Sequence, residues 1–379
     1  MDRPNDPSKR TPRESMELDP SGGGSPETLV LVEGVQRAQR RFDRRVVALL
    51  KNPIVLTLAL LGLIALLWWA AQTNWAAVQR LPALIVWGVM LGSIIALGSI
   101  GLSLAYGVLR FANFCHGDLM TVGAYAAFAL LALLRQSTPL APFSFGWGFL
   151  VALLLAMPIT GLVAIGIDRV IYRPLRARHG SLVILEMASL GAAFFVRSLI
   201  YIVWGADFYF YYLGRERPAM QLPLGIRVQA YQFFILGLTL VLIVCVYLLL
   251  EKTKMGKAMR ATADNLELSK VSGINTEQVV SWTWMISGAL AGAAGVLLGL
   301  SAQLRPAMGW ELLLPMFAAV ILGSIGNPYG ALVGGLIIGI VEQTSTAFIN
   351  PAYASGVAFF IMIVVLLVRP QGIFGKAGG

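Results

Sequence analysis

Few residues of this chain are charged, and this limits the class of protein to which it can belong. Only 13% of the 379 residues are Asp, Glu, Lys or Arg, whereas soluble domains carry about 25%. Hydrophobic residues make up 57%, and the mean hydropathy is +0.75. These values exclude an ordinary soluble domain and predict an all-α polytopic membrane protein. The net charge of +10 is then explained by membrane topology and not by nucleic-acid binding.

Residues that could bind a metal, catalyse a reaction or hold a phosphate are also few. Cys115 and Cys245 are the only cysteines and lack metal-ligand spacing, while His116 and His179 stand alone. The Gly-Lys pairs in MGKA (255–258) and FGKA (374–377) are followed by Ala, where a phosphate loop needs Ser or Thr. The sequence therefore predicts no catalytic centre, no metal, no cofactor and no ATP hydrolysis in this chain.

The N-terminal region differs from the rest. Residues 1–27 are rich in Pro, Ser, Gly and charge, which predicts a disordered cytoplasmic tail. Residues 28–51 mix apolar residues with an arginine cluster, which favours a basic amphipathic helix on an anionic membrane surface. The alternative is that these arginines only set topology. An extra membrane span is predicted at 53–72, ahead of a main domain at 82–375.

Ten apolar segments are predicted to contact or cross the membrane, since a straight span needs about 20 residues. With the N-terminus inside, the inner segments hold 22 Lys and Arg and the outer loops six. This asymmetry predicts that both termini lie in the cytoplasm. Two segments, 311–325 and 354–368, are short enough to be half-helices or buried spans. The segments are 53–72, 82–108, 118–134, 147–168, 181–204, 231–250, 276–300, 311–325, 331–348 and 354–368.

The only long polar run between two long apolar spans is 251–274, and it predicts a helix–turn–helix loop on the cytoplasmic side. Thr253 can cap a first short helix that ends at Arg260, and Asp264 stands three residues before Glu267, which is a capping-box spacing. Gly273 suits a left-handed cap at the end of the second helix. We interpret the loop as a docking site for a soluble motor. The alternative is a generic positive-inside loop.

Polar residues interrupt the apolar pattern in 98–125. Asn113, His116 and Asp118 there are costly at membrane depth unless they are buried or line water. Gly117 or Asp118 can cap a new helix. The turn is either purely structural or contacts the transported solute directly. We place a candidate translocation path between 98–125 and 315–344, with five candidate residues: Asn113, His116, Asp118, Asn327 and Glu342.

Three ionisable residues fall within predicted spans: Glu186, Arg197 and Glu342. Glu186 and Arg197 lie about 16 Å apart along a helix, which is too far for a direct pair, so each is expected to meet another helix, a carbonyl or water. Each of the three is either functional or a buried structural residue.

Glycines recur at three- and four-residue spacing in two segments, where they let helices pack closely. SIGNPYG (324–330) predicts a break between two short apolar pieces. This break and the interruption near residue 113 each separate a pair of apolar segments, one pair in each half of the chain, and the two pairs have opposite orientations. An inverted-repeat carrier has this arrangement. The predicted packing glycines are Gly288, Gly292, Gly295, Gly299, Gly326, Gly330 and Gly334.

Four stretches together resemble the permease subunit of branched-chain amino acid ABC importers, and most of all the first of its two paired permeases. They are YGVLRFANFCHGDLMTVGAY, TKMGKAMRATADNLELSKVSGIN, ISGALAGAAGVLLG and AAVILGSIGNPYGALVGGLIIGIVE, and the likeness runs from about residue 85 to 375. The resemblance implies a bacterial inner-membrane location and, as partners, two ATPase subunits that use ATP–Mg, a second permease and a periplasmic binding protein. It also implies that the ATPase contact is formed or shaped by Lys254, Gly256, Lys257, Arg260, Ala263, Asp264 and Gly273.

Two departures leave the substrate open. Residues 1–72 are additional to that family's usual pattern, and the span holding Glu186 and Arg197 is more charged than expected. Related permeases move urea, short amides or other small polar solutes. A second alternative is a secondary carrier driven by an ion gradient, with Glu186 or Glu342 carrying the proton.

Overall fold

The computed structural model describes residues 75–134, 140, 143–212, 219–221, 227–368 and 371–375. The predictions for 1–27, 28–51 and 53–72 lie outside these residues. The described part falls within one compact unit that begins at Trp68. The first described helix begins at Trp75, seven residues before the predicted segment at 82.

The described chain is a bundle of helices, and each predicted apolar segment from 82 onward corresponds to one of them. The elements in chain order are α1 (Trp75–Leu109), α2 (His116–Leu133), α3 (Trp147–Ile167), a π-turn (Asp168–Tyr172), α4 (Arg173–Ala177), α5 (Leu182–Trp204), β1 (Ala219–Gln221), β2 (Arg227–Gln229), α6 (Ala230–Lys252), α7 (Lys254–Asp264), α8 (Leu266–Val271), α9 (Thr276–Ser301), α10 (Met308–Gly323), α11 (Pro328–Ser345), a 3-10 turn (Pro351–Tyr353) and α12 (Ala354–Val368).

Six of the described helices are long and apolar enough to cross a membrane: α1, α2, α3 with its continuation into α4, α5, α6 and α9. The apolar helices α10 and α12 are shorter, with 16 and 15 residues, as their predicted segments were. The prediction of a multi-pass all-α membrane protein is confirmed. The inverted repeat stays a prediction.

The core lies where α1 and α9 meet. Helix α9 packs against α1, α2 and α3, and α11 packs against α1 and α10. Small residues make these approaches close: a Cβ on Gly88 of α1 would lie 2.7 Å from the Cα of Ile340 in α11, and one on Gly288 of α9 would lie 2.9 Å from the Cα of Gly161 in α3. Such interfaces suit a membrane, where association depends on van der Waals packing and not on the hydrophobic effect.

The loops sort to two ends of the bundle. At one end, Arg110 donates a hydrogen bond to the carbonyl of Ala263, Arg173 pairs with Glu277, and Ile373 N–H donates to the carbonyl of Leu322. Most described Lys and Arg residues lie here, and we call it the basic end. They are Arg110, Arg169, Arg173, Arg176, Arg178, Lys252, Lys254, Lys257, Arg260 and Lys270. At the opposite end, Tyr209 bridges Leu304.

Candidate functional site

The hairpin of α7 and α8 fills the predicted polar loop at the basic end. The Thr253 hydroxyl accepts a hydrogen bond from Gly256 N–H at 3.0 Å, so the predicted N-cap of α7 is confirmed. Gly273 follows α8 with a φ of +82°, the left-handed conformation that glycine adopts most readily. The predicted end of the second helix is therefore also confirmed.

Two details of the predicted hairpin are wrong. Helix α7 continues beyond Arg260 to Asp264, so Asp264 is its last residue and not the cap of the next helix. The cap of α8 is Asn265, whose side chain accepts a hydrogen bond from Leu268 N–H at 2.9 Å. Asn265 has the extended backbone (φ −152°, ψ 107°) that an N-cap requires, and the sequence spacing could not show which residue leaves the helix.

The inner face of α7 packs on the end of α6. Gly256, Met259 and Thr262 are buried. A Cβ on Gly256 would lie 2.5 Å from the Cα of Leu250, so only glycine allows this approach. Gly256 thus lies in a contact within the chain and not on an outward surface.

Arg260 also has its partners within the chain. Its guanidinium lies 2.5 Å from a carboxylate oxygen of Glu251, and the Tyr329 hydroxyl donates to that same oxygen at 3.2 Å. The hydrogen bond to Glu251 raises the pKa of Arg260 above its ordinary value. These side chains line a crevice of about 390 Å³ between α1, the α6–α7 junction and the start of α11. Arg260 therefore links α7 to α6 and, through Glu251, to α11.

The outer face of the hairpin is both basic and apolar. Lys254 and Lys257 are exposed on α7. On α8, the exposed fractions are 63% for Leu268 and 86% for Val271. Exposed apolar residues flanked by lysines, in a segment outside the spans, are typical of a surface that another protein covers. The sequence prediction missed both apolar residues, although LELSKV within an otherwise polar run is a signal for them.

A buried ion pair joins two of the spans. The Arg197 guanidinium of α5 donates to both carboxylate oxygens of Asp118 in α2, at 2.8 and 2.9 Å. The Asp118 side chain is fully buried, and the Arg197 carbon Cζ lies 4.4 Å from the ring centre of Trp310 in α10. Glu186 accepts a long hydrogen bond from Ala112 N–H, at 3.5 Å. The prediction that Arg197 meets another helix is confirmed, whereas the partner of Glu186 is a backbone N–H of the turn before α2, which is neither a helix nor a carbonyl.

The turn before α2 is held by its own polar groups. Asn113 accepts hydrogen bonds from Cys115 N–H at 3.1 Å and from the Tyr172 hydroxyl at 3.2 Å. His116 Nε2 lies 2.9 Å from the carbonyl oxygen of Gly98. Burial raises the pKa of the Cys115 thiol, so this cysteine stays protonated. Gly117 and Asp118 do not cap α2, because the helix begins at His116 after Cys115 and lacks a side-chain cap.

The other two candidate path residues lie elsewhere. Asn327 caps α11 by accepting from Tyr329 N–H and Gly330 N–H, at 3.0 and 3.2 Å. Glu342 accepts from the Ser355 hydroxyl at 2.9 Å. The two are about 22 Å apart along α11 at the usual helical rise. The five candidates therefore do not form one cluster, and their role in a path stays a prediction.

The predicted packing glycines contact more than one neighbour. In α9, Gly288 and Gly292 lie against Thr160 of α3, Gly295 lies against the Met120 carbonyl of α2, and Gly299 lies against Tyr211. In α11, Gly330 lies against Gly323 and Gly334 against Ala319, both in α10, while Gly326 has a φ of +81° in the turn between the two helices. Among the residues that the structure describes, no three His, Cys, Asp or Glu side chains are grouped as metal ligands.

Comparison with known proteins gives consistent matches over most of the chain. The family model described as "Branched-chain amino acid transport system / permease component" matches residues 84–366. The chain is 32% identical over 299 residues to the high-affinity branched-chain amino acid transport system permease protein LivH of Escherichia coli (strain K12), covering 76% of this chain and 94% of the relative.

Two further relatives extend this likeness to other organisms. The permease protein BraD of Pseudomonas aeruginosa is 30% identical over 308 residues, covering 76% of this chain and 94% of the relative. The probable permease protein LivH of Methanocaldococcus jannaschii is 30% identical over 305 residues, covering 76% of this chain and 90% of the relative. No solved structure gives a significant match.

Proposed function

This chain belongs to the permease-component family of branched-chain amino acid transport systems, and from that membership we propose that it imports branched-chain or related small amino acids as the permease subunit of an ATP-driven importer. Such a subunit works by alternating access, in which the path opens first to one side of the membrane and then to the other. We propose that separate ATPase subunits drive the change between the inward-open and outward-open states. A partner can shift that equilibrium only if it binds one of the two states more tightly than the other. A second permease and a periplasmic binding protein complete the proposed assembly.

The basic end is proposed to face the cytoplasm of a bacterial inner membrane, with both termini on that side. The concentration of Lys and Arg at one end of the described bundle supports this orientation. The opposite end, with β1, β2 and the Tyr209–Leu304 bridge, would then receive solute from the binding protein.

The observation that carries the proposal is the outer face of the α7–α8 hairpin at this basic end. Leu268 and Val271 of α8 offer apolar contact area there, and the exposed Lys254 and Lys257 of α7 add positive charge to the hairpin. Apolar anchors surrounded by a polar rim are what protein interfaces use. We therefore place the ATPase contact on this face.

Replacing both Leu268 and Val271 with Glu is expected to abolish ATPase binding without affecting insertion. Each Glu removes apolar contact area and would be desolvated on docking. The measurement is copurification of the ATPase from membranes, and we expect a loss of roughly tenfold or more, as for a disrupted interface anchor. The control is Tyr353→Glu, at an equally exposed position (68%) at the opposite end. Undiminished copurification would place the ATPase contact elsewhere.

Solute specificity needs a separate measurement in proteoliposomes that contain the full assembly. We expect uptake of leucine, isoleucine or valine to require the ATPase and ATP, and to persist when an ionophore collapses the ion gradient. Uptake by the chain alone that the ionophore abolishes would establish an ion-coupled carrier instead. ATP-dependent uptake of urea or short amides, without uptake of amino acids, would keep the importer and change its solute.

Arg260 and Glu251 are proposed to transmit the motion of the hairpin, because their pair joins α7 to α6 and α11. Glu251→Gln with Arg260→Met is expected to leave ATPase copurification intact and to lower the ratio of uptake to ATP hydrolysis roughly fivefold or more, the usual scale of site-to-site coupling. The control is Arg305→Met, which removes an exposed pair with Glu311 at the opposite end. Unchanged coupling in the double variant would assign the pair to local stability alone.

A further inference from the structure

A second cavity opens at the basic end between α3 and α9. Its volume is about 390 Å³, and its lining combines apolar, aromatic and charged side chains. The residues used below are Ile165, Arg169, Arg173, Glu277, Trp282 and Met285. Neither the proposed ATPase contact nor the candidate path uses any of them.

The charge of this cavity is not balanced. Arg173 pairs with Glu277 at 3.1 Å. Nearby, Arg176 forms an ion pair with the buried Asp168 at 2.8 Å, so its charge is already balanced. Arg169 has no ion-pair partner among the described residues. Two arginines thus face one carboxylate, and the surplus guanidinium favours an anionic ligand.

The π-turn Asp168–Tyr172 places Arg169 on the surface of the bundle. Asp168 and Tyr172 are buried in the π-turn, where Asp168 binds Arg176 and the Tyr172 hydroxyl donates to Asn113. Arg169 and Val170, between them, are exposed. Single π-turns within helices are frequent at functional sites. The Arg169 guanidinium therefore projects from a turn whose opposite side is fixed by one buried and one partly buried hydrogen bond.

The depth of the cavity matches the phosphate layer of a bilayer. Arg169 follows the start of α3 at Trp147 by 22 residues, which is about 33 Å at the helical rise, whereas the hydrocarbon core is about 30 Å thick. Ile165 and Met285 lie on the hydrocarbon side and supply an apolar wall. Trp282, with an exposed fraction of 46%, suits the interfacial level that tryptophan prefers.

We infer that this cavity binds an anionic glycerophospholipid. Arg169 would hold the phosphate, with Arg173 as a second donor, and Trp282 would pack against the glycerol backbone. The first methylene groups of an acyl chain would lie along Ile165 and Met285. A free phosphate ion offers the same charge but makes no use of the apolar wall, which is why we choose the lipid.

The test uses the purified full-length chain and native mass spectrometry after incubation with phosphatidylglycerol or phosphatidylcholine. We expect the wild-type chain to retain phosphatidylglycerol at least about tenfold more than phosphatidylcholine, as one charge-assisted contact allows. Arg169→Gln is expected to remove that preference. Arg178→Gln is the matched control, because Arg178 is exposed on the same segment but does not line the cavity, and it should retain the lipid as the wild type does.

Three results would overturn the inference: equal retention of the two lipids, equal loss in the two variants, or displacement of the lipid by millimolar inorganic phosphate or glycerol 3-phosphate. The last result would show that the cavity recognises phosphate and not lipid. Since binding is measured without ATPase or solute, its failure is distinguishable from failure of the proposed transport function.

Discussion

Asp118→Leu is expected to prevent accumulation of folded protein, with a cost of about 3–5 kcal/mol for breaking a buried pair from one side. The carboxylate is fully buried and receives two hydrogen bonds from Arg197. Without it, Arg197 would keep a positive charge among α2, α5 and α10, beside the rings of Trp310 and Phe194. The measurement is the fraction of monodisperse protein in detergent, together with its thermal unfolding midpoint.

The double variant Asp118→Leu with Arg197→Met shows whether the pair stabilises the fold or serves transport. Removing both charges is often close to neutral for stability, so the double variant is expected to fold. If it folds and imports solute, the pair is structural; if it folds and does not import, the pair belongs to the path. Arg305→Met is the control, since exposed pairs contribute about 0–1 kcal/mol. Normal stability of Asp118→Leu alone would contradict the ion-pair geometry.

Gly295→Ala is expected to destabilise the chain by about 1–3 kcal/mol, the usual cost of overpacking, and Gly295→Leu is expected to prevent folding. A Cβ at residue 295 of α9 would collide with the backbone carbonyl of Met120 in α2. A backbone carbonyl cannot move aside as a flexible side chain can, so the two helices would have to separate. The measurement is again the thermal unfolding midpoint in detergent.

Gly237→Ala is the matched control for this substitution. Gly237 also lies within a span, but nothing lies within 4 Å of the Cβ position. Replacing it should leave stability unchanged or raise it by about 0.4–1 kcal/mol, since alanine restricts the unfolded chain. Equal destabilisation at residues 237 and 295 would contradict close packing as the cause, since alanine is a better helix former than glycine and by itself would not destabilise either helix.

The location of the helices follows from local patterns. Each apolar run from residue 82 onward became a helix, because a chain in lipid must satisfy its backbone hydrogen bonds within the segment. The Thr253 cap and the left-handed Gly273 were also predictable, since each depends on a few neighbouring residues. Likewise, the basic hairpin predicted a docking site for a soluble motor, and the four stretches that resemble branched-chain amino acid permeases implied that this motor is an ATPase.

These local patterns could not predict the contacts between segments that are distant in the sequence. Arg197 was visible as a charge within a span, but its partner Asp118 lies 79 residues away in the chain. The contacts of Arg260 and Gly256 with α6 within this chain and the exposure of Leu268 and Val271 could not be predicted from the sequence, and the role of Arg260 and Gly256 in an ATPase contact stays a prediction. Hydropathy and capping act over one or two helical turns, so they locate the spans and their ends. Which side chain of a helix faces a partner depends on how the spans pack, and only the folded bundle decides that.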